Sequence, residues 1–585
     1  MKKTTSLFVK RLFALMIMCC FYNGMAQSFT NPIADIADPQ ISYIDGYYYV
    51  TGTFDQEIRL RRATTIEGLK STEFSRVFGD GGVGLPNRNF WEAEMHKLDG
   101  KFYIYFTAKI DNMNVDDVTT HVIECSDANP VTGAWTYKGR LFDPNADFRA
   151  NSPTIAEING NRYFFCAGRD GVSNENNIYV SAMANPWTLS GARTQIYTSR
   201  ELENIGDGAP TNVLVHGGKA FLTYSVAGCG SDQSRIGLMY MNNVVDNPLD
   251  IASWTKESAA VFGDNPSANS YNPIQIGFFK SPDGTEDWIS YSSTHDNGSN
   301  CGDQRSSKAQ KISFDANGML VLGVPATIGK VVNAPSGEVA IPVGTVVTNG
   351  LYRMQPVSEI GGENRYVEIA NSPGLLNGGA GVGIYPNNND EPDYKWYLQA
   401  TGVTPGEYTI VSFWSGLLVE VGGCNTDNNA RINMWFPNGR PCGLWIMSET
   451  ATGSGDYRFM NKNSGKYMSA DGGDIKQKDL DANSNFQKFK LTFLEATLNV
   501  SIPDNNSTVV SLYPNPVHDH FIINGMDNSK TNNIIVTDML GKTVKSVNTK
   551  SYDCNIDVNG LNPGLYIVSI TSEGKKIATR KILVK

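Results

Sequence analysis

A polar turn followed by a short aromatic strand recurs five times in the first half of the chain. Asp45-Gly46 precedes YYYVTGT, Asp99-Gly100 precedes KFYIYFTA and Asn159-Gly160 precedes NRYFFCAG. Gly217-Gly218 precedes KAFLTYS, and Asp283-Gly284 precedes TEDWISYSS. The turns are spaced 54, 60, 58 and 66 residues apart. Asp-Gly, Asn-Gly and Gly-Gly accept positive φ at both central positions, as a two-residue β-hairpin requires. A further strand follows each hairpin (IRLRRAT, HVIECSD, NIYVSAM, RIGLMYM and KAQKISFD), and Trp135, Trp187 and Trp254 mark three of the units. One such unit cannot bury both faces of its own sheet, whereas radial packing of five does so and leaves only short edges. The pattern predicts an all-β chain whose residues 27–340 form a five-bladed β-propeller.

Two further patterns follow. Residues 345–495 hold three units that each run from a Tyr-led strand to a closing aromatic, Trp396, Trp445 or Phe489. Residues 511–585 alternate short strands with Asn-Pro, Leu-Gly and Pro-Gly turns, which predicts a small β-sandwich behind a polar linker at 496–510. At the other end, Lys2, Lys3, Lys10 and Arg11 precede the apolar run Leu12–Phe21 and the small residues Gly24 and Ala26. Residues 1–26 therefore read as a secretory signal peptide, with an apolar run too short to span a bilayer. No other stretch reaches membrane-spanning length.

Composition narrows the chemistry. Hydrophobic residues make up 41% and charged residues 18% of the 585, which suits packed cores and excludes a disordered acidic chain. The net charge of -10, without a basic stripe, excludes a protein built to neutralise nucleic-acid phosphates. Seven of the nine cysteines remain after cleavage, an odd number that leaves at least one unpaired. Cys424 and Cys442, close together inside the middle unit of 345–495, are the best candidate pair, worth about 3 kcal/mol if bridged. No CxxC motif and no His cluster of metal-ligand spacing occurs, so no cofactor is expected.

Propellers take ligands at the axial opening, where the inner strand of each blade begins. The residues there are Asp38, the Trp91-Glu92-Ala93-Glu94 run, Asn151-Ser152-Pro153, Asp207-Gly208-Ala209-Pro210 and Tyr271 to Gln275. With the flanking phrases ADPQISYIDGYYYVTGT, FWEAEMHKLDGKFYIYFTA and GFFKSPDGTEDWISY, the stretch 30–330 resembles family 43 glycoside hydrolases, in their arabinofuranosidase and xylosidase branch. The resemblance implies an inverting mechanism, in which one carboxylate activates water and one carboxylic acid protonates the leaving oxygen, about 6.5–9.5 Å away. It implies Asp38 as the base. Where the family carries a Glu acid in blade four, the nearest carboxyl group here is Asp207, with Glu92 as the alternative acid. Where it carries an Asp in blade three, Asn151 stands, and an amide cannot supply a charge that raises a neighbour's pKa. Trp91, Phe54, Glu92, Glu94, Asn151, Tyr271, Gln275 and Arg305 are the expected substrate contacts. Gln275 replaces the family's central His, which argues against a Ca²⁺ in the channel.

The threefold stretch resembles the ricin-type β-trefoil, although only Gln487-Lys488-Phe489 keeps the Gln-x-Trp spacing with its Gln. Sugar binding by that module is expected, with Asp427, Asn429 and Trp435 in the right kind of loop. The C-terminal stretch, with Tyr513-Pro-Asn-Pro516 and Gly564-Leu-Tyr566, resembles the sorting domain of type IX secretion. Together these features predict a secreted or surface-attached, exo-acting hydrolase that removes a terminal arabinose or xylose from a plant or algal polysaccharide. A propeller that binds glycans without cleaving them is the alternative.

Overall fold

Turn chemistry sets the first four hairpins. Asp45-Gly46, Asp99-Gly100, Asn159-Gly160 and Gly217-Gly218 all hold positive φ at both central residues, between 49° and 83°. The fifth turn differs. Pro282 fixes its own φ near -65° and cannot take a left-handed position, so the strands Tyr271–Lys280 and Asp287–Thr294 are joined by a longer loop. Asp283 stabilises that loop by accepting from Ser281 Oγ (2.7 Å) and the Thr285 N–H (3.0 Å).

The computed structural model describes residues 28–584 apart from 80, 81, 83, 111–117, 144–146, 170–175, 199–207, 296–297, 299–300, 302–304, 339–345, 359–364, 371–377, 387–391, 452, 471–472, 497–510, 514–516, 518, 525, 527–528, 539–541, 552, 563 and 574. The signal sequence, Asp207 and nearly all of the expected linker lie outside the described residues. Among those described, every regular element is a β-strand or a short 3-10 turn, in accord with the all-β expectation. The chain forms two compact units, Met1–Asn499 and Val500–Lys585.

In the larger unit, each hairpin repeat makes one antiparallel sheet. The inner strands are Ala37–Ile44, Arg88–Leu98, Asn151–Ile158, Ala209–His216 and Tyr271–Lys280. Each packs against the inner strand of the next sheet, and the fifth packs back on the first, which closes a propeller ring. The aromatic second strands explain the ring. In Lys101–Lys109, Phe102, Ile104 and Phe106 join a core with Tyr49 and Phe90 on one side. Tyr103 and Tyr105 join Phe164 and Tyr179 on the other. Period-two alternation thus buries both faces of the strand between neighbouring blades.

The chain's own beginning completes the ring. Ser28–Thr30 pairs with Val331–Asn333. Ile33 N–H donates to Ser307 O (2.8 Å), and Ser307 N–H donates to Ala34 O (2.9 Å). Between them, the fully buried Asn31 side chain clasps the fifth sheet. Its Nδ2 donates to Ala309 O and its Oδ1 accepts from Ala309 N–H, both at 2.9 Å.

The closing aromatics of the threefold stretch meet in one core, where Trp396, Trp445 and Phe489 are fully buried beside Tyr408 and Phe459. Trp396 Nε1 donates to Val367 O (2.9 Å) and Trp445 Nε1 to Val419 O (2.8 Å), the same bond in two successive units. Phe489 has no donor, and there Gln487 ties the preceding loop instead, through Asp479 O and the Asp481 N–H. Cys424 and Cys442 are disulfide-bonded. The smaller unit stacks two sheets around Phe521, Ile523, Ile534, Val536, Val568 and Ile570, a β-sandwich core.

Replacing Asn31 with Ala orphans the buried N–H and C=O of Ala309. Each unsatisfied group costs on the order of 1–3 kcal/mol, so Asn31→Ala is expected to lower the unfolding midpoint of the larger unit by several degrees in calorimetry. An unchanged midpoint would show that the clasp does not hold the ring.

Candidate active site

Inner strands reach the axis through a backbone irregularity. Their pairing slips by one residue between Ala37 and Gln40, Trp91 and Glu94, Asn151 and Thr154, Pro210 and Asn212, and Ile274 and Gly277. Each slip is a β-bulge, which re-aims a side chain and leaves its own N–H outside the ladder. Within four of them, Asp38, Glu92, Ser152 and Gln275 hold φ between 51° and 56°. Left-handed backbone at non-glycine residues costs on the order of 1–3 kcal/mol and gathers at functional sites.

The orphaned bulge N–H groups are taken by hydroxyls of the preceding blade. Asp38 N–H donates to Ser292 Oγ (3.4 Å), Glu92 N–H to Thr53 Oγ1 (3.0 Å), Ser152 N–H to Thr107 Oγ1 (3.0 Å) and Gln275 N–H to Ser225 Oγ (3.2 Å). The threonines also face the carboxyl groups of their own blades. Thr53 Oγ1 donates to Asp38 Oδ2 (2.7 Å) and Thr107 Oγ1 to Glu92 Oε2 (3.2 Å). Thr53 therefore links the two acids, gripping the carboxylate of one and the backbone of the other.

A cavity of about 1030 Å³ opens over this floor, lined among others by Asp38, Thr53, Phe54, Trp91, Glu92, Asn151 and Gln275. Six of the expected site residues (Asp38, Phe54, Trp91, Glu92, Asn151 and Gln275) thus share one space. Three others do not line it. Glu94 is buried in the wall, where Thr154 Oγ1 donates to it (3.1 Å) and His96 contacts it. The bulge adds one residue after Glu92, so the strict two-residue alternation that would aim Glu94 the same way is broken. The slip between Tyr271 and Ile274 breaks the alternation between Tyr271 and Gln275 in the same way. Arg305 is only 1% exposed and donates from Nη1 to Asn272 O (2.8 Å), so it lies beneath the floor rather than among substrate hydroxyls.

Burial raises the pKa of both acids. Burial pushes the Asp38 pKa up, while the Thr53 hydrogen bond and the Arg305 charge pull it back. Burial and then the Asp38 charge push Glu92 up to about 7, against hydrogen bonds from Ser152 and Thr107. A row of donors ends on that group: Arg149 Nε donates to Asn151 Oδ1 (2.9 Å), Asn151 Nδ2 to Ser152 Oγ (2.9 Å) and Ser152 Oγ to Glu92 Oε1 (2.8 Å). The residue of the third blade that meets Glu92 is therefore Ser152, with Asn151 orienting it. In the fourth blade, a side chain at Gly208 would meet the Tyr197 ring, 2.6 Å from its Cβ, so that position is closed to a carboxyl group.

Sequence reasoning missed Ser152, Thr53 and the Cys229–Cys301 disulfide, whose two residues line the cavity. Export and an odd cysteine count permitted that bridge without selecting it. Cys125, Cys166 and Cys554 stay unpaired. Among the described residues, no group of three or more His, Cys, Asp or Glu could hold a metal ion, and no helix is long and apolar enough to cross a membrane.

A pair of carboxyl groups facing one cavity is the arrangement that general acid–base chemistry needs. Between pH about 4.5 and 7 the folded chain keeps a proton on Glu92 that the unfolded chain releases, so this group erodes stability as pH rises through that window. Asp38→Asn removes the neighbouring charge and is expected to lower the Glu92 midpoint, read by carboxyl ¹³C NMR titration. A midpoint that stays near 7 would make burial alone its cause.

Comparison with known proteins places these observations. The family model for glycosyl hydrolases family 43 matches residues 29–320, that for the ricin-type beta-trefoil lectin domain-like family matches 392–492, and that for the secretion system C-terminal sorting domain matches 511–585. An extracellular exo-alpha-(1->5)-L-arabinofuranosidase from Streptomyces avermitilis is 35% identical over 318 residues, 52% of this chain and 64% of that protein. Alpha-L-arabinofuranosidase 43 from Humicola insolens is 30% identical over 341 residues, 55% of this chain and 69% of that protein. A crystal structure of alpha-L-arabinofuranosidase from Lactobacillus brevis is 27% identical and covers 51% of this chain and 98% of its own, with a TM-score of 0.48.

Proposed function

The chain belongs to glycosyl hydrolases family 43, and we propose that it is an exo-acting hydrolase that removes a terminal L-arabinofuranose from a polysaccharide, with inversion. Arabinose is preferred over xylose because the relatives carry that name. Export follows from the C-terminal sorting domain at 511–585, and the acceptor of that tail is the secretion machinery. The trefoil would hold the enzyme on its polysaccharide. Trp435 is 38% exposed there, an available platform for a sugar's CH face.

The observation that carries the reading is the Asp38–Glu92 pair. Asp38, steadied as a carboxylate by Thr53 and Arg305, takes a proton from water as that water attacks the anomeric carbon. Glu92, protonated up to about pH 7, gives its proton to the leaving oxygen. As the arabinose departs, both groups reset by exchange with solvent. Asp207, two residues before the fourth inner strand in sequence, remains the rival donor. The alternative, glycan binding without cleavage, is supported by the Asn151 and Gly208 departures from the family's pattern.

Activity is expected to rise with pH as Asp38 ionises and to fall above about 7 as Glu92 loses its proton. Glu92→Gln is expected to reduce kcat on a natural arabino-oligosaccharide by on the order of 10²–10⁴-fold. Nitrophenyl arabinofuranoside, whose leaving group needs little protonation, is expected to lose far less. If Glu92→Gln keeps the rate and the alkaline limb while Asp207→Asn removes both, the acid is Asp207. Tight binding of every glycan tried with no sugar released would favour the binding-only reading.

A further inference from the structure

The middle unit of the trefoil reaches into the cavity of the propeller. Its segment 435–443, WFPNGRPCG, keeps Phe436 and Cys442 in the trefoil core and touches the first and fifth blades. Phe436 stacks on His295 of the fifth blade, with centroids 5.4 Å apart and planes 11° from parallel. Gly439, at φ +76°, lies so close to the first blade that a Cβ would stand 1.7 Å from Thr72 O. Only glycine fits there, and the contact fixes its neighbours. Asn438 and Arg440 line the same cavity as Asp38 and Glu92.

The loop is stiff and its cation is presented. Pro437 and Pro441 restrict φ on both sides, and the Cys424–Cys442 bridge anchors its base. Arg440 N–H donates to Asn438 Oδ1 (2.9 Å), and Asn438 Nδ2 donates to Glu420 Oε2 (3.4 Å). Glu420 is buried, while Arg440 is exposed at the cavity wall, its guanidinium adding to the field that favours the Glu420 carboxylate. Asp35, Glu73 and Phe74 of the first blade line the same cavity. Phe74 packs edge-on against Phe54, with centroids 4.9 Å apart, and Arg61 and Arg59 lie over one face of each ring. Hydroxyl-bonding side chains and aromatic surface around one cavity suit a sugar, since aromatic surface takes the CH side of a pyranose or furanose and Arg and Asn take its hydroxyls. At about 1030 Å³, the cavity reaches the upper end of the range for a drug-sized ligand and holds more than one pentose.

We propose that Arg440, positioned by Asn438 and the trefoil loop, is a specificity-determining residue that takes a sugar on the leaving-group side of the scissile bond. The trefoil is then part of the active cleft and selects oligosaccharides over short glycosides. This rests on the hydrolase reading above, and the test separates the two. In the full chain, Arg440→Ala is expected to reduce kcat/KM on 1,5-α-L-arabinotriose by roughly 10-fold, mainly through KM, as loss of a charge-assisted hydrogen bond implies. On 4-nitrophenyl α-L-arabinofuranoside, whose leaving group carries no sugar hydroxyls for Arg440 to bind, the change is expected to stay within about twofold, and Arg440→Lys is expected to recover part of the arabinotriose loss. Equal losses on both substrates, or none on arabinotriose, would overturn the proposal. If the unaltered protein cleaves neither compound, the hydrolase reading fails. Calorimetric affinity for arabinotriose then decides: weaker binding by Arg440→Ala supports the cleft role, and equal or no binding by the two proteins overturns it.

Discussion

A hydrogen bond from a bulge N–H to a hydroxyl on the neighbouring blade organises the floor of this molecule. A closed ring of sheets brings five inner strands to one axis, and each must bend there to aim a side chain inward. The bend leaves an amide without a ladder partner, and a buried unpaired amide is costly. Ser292, Thr53, Thr107 and Ser225 supply the missing acceptors at four of the five junctions. At the third-to-fourth junction the equivalent strand offers Ala167, opposite Asn151, and no hydroxyl. The bulge there, between Pro210 and Asn212, has no left-handed residue among those recorded. Local backbone strain and the hydroxyl that offsets it therefore occur together.

The same hydroxyls govern the charges. Two carboxyl groups over one floor cannot both ionise cheaply, because each raises the other's midpoint in a site of low dielectric. Thr53 and the buried Arg305 favour the charged form of Asp38. Burial and the Asp38 charge raise Glu92 to about 7, against hydrogen bonds from Ser152 and Thr107. Ser152 meets Glu92 with a hydroxyl and adds no negative charge beside it. In this chain Asp38 itself raises the midpoint of the candidate acid.

Much of the fold was legible because turn chemistry is local. Asp-Gly, Asn-Gly and Gly-Gly pairs announce left-handed φ, and alternating aromatic strands announce a sheet buried on both faces. Trp396 and Trp445 marked repeat ends because each needs one buried carbonyl for its indole N–H. Asp38 and Trp91 were legible as cavity residues for the same reason of position. A bulge inserts a residue without changing the residue types, so the positions that the resemblance offered carried no sign that Glu94 turns into the wall or that Ser152, beside Asn151, meets Glu92. Cys229–Cys301 and the Arg440 wall were beyond reach because they join segments far apart in sequence, where no local periodicity carries information.

The Asn31 clasp has a consequence for how the ring is made. Asn31 bonds to Ala309 across 278 residues. During synthesis the opening segment emerges first, yet its partner strand is among the last of the domain to leave the ribosome. Until then the first blade carries an unsealed edge. Long-range closure of this kind is slow compared with hairpin formation. The chain thus becomes a ring only once the whole domain is present.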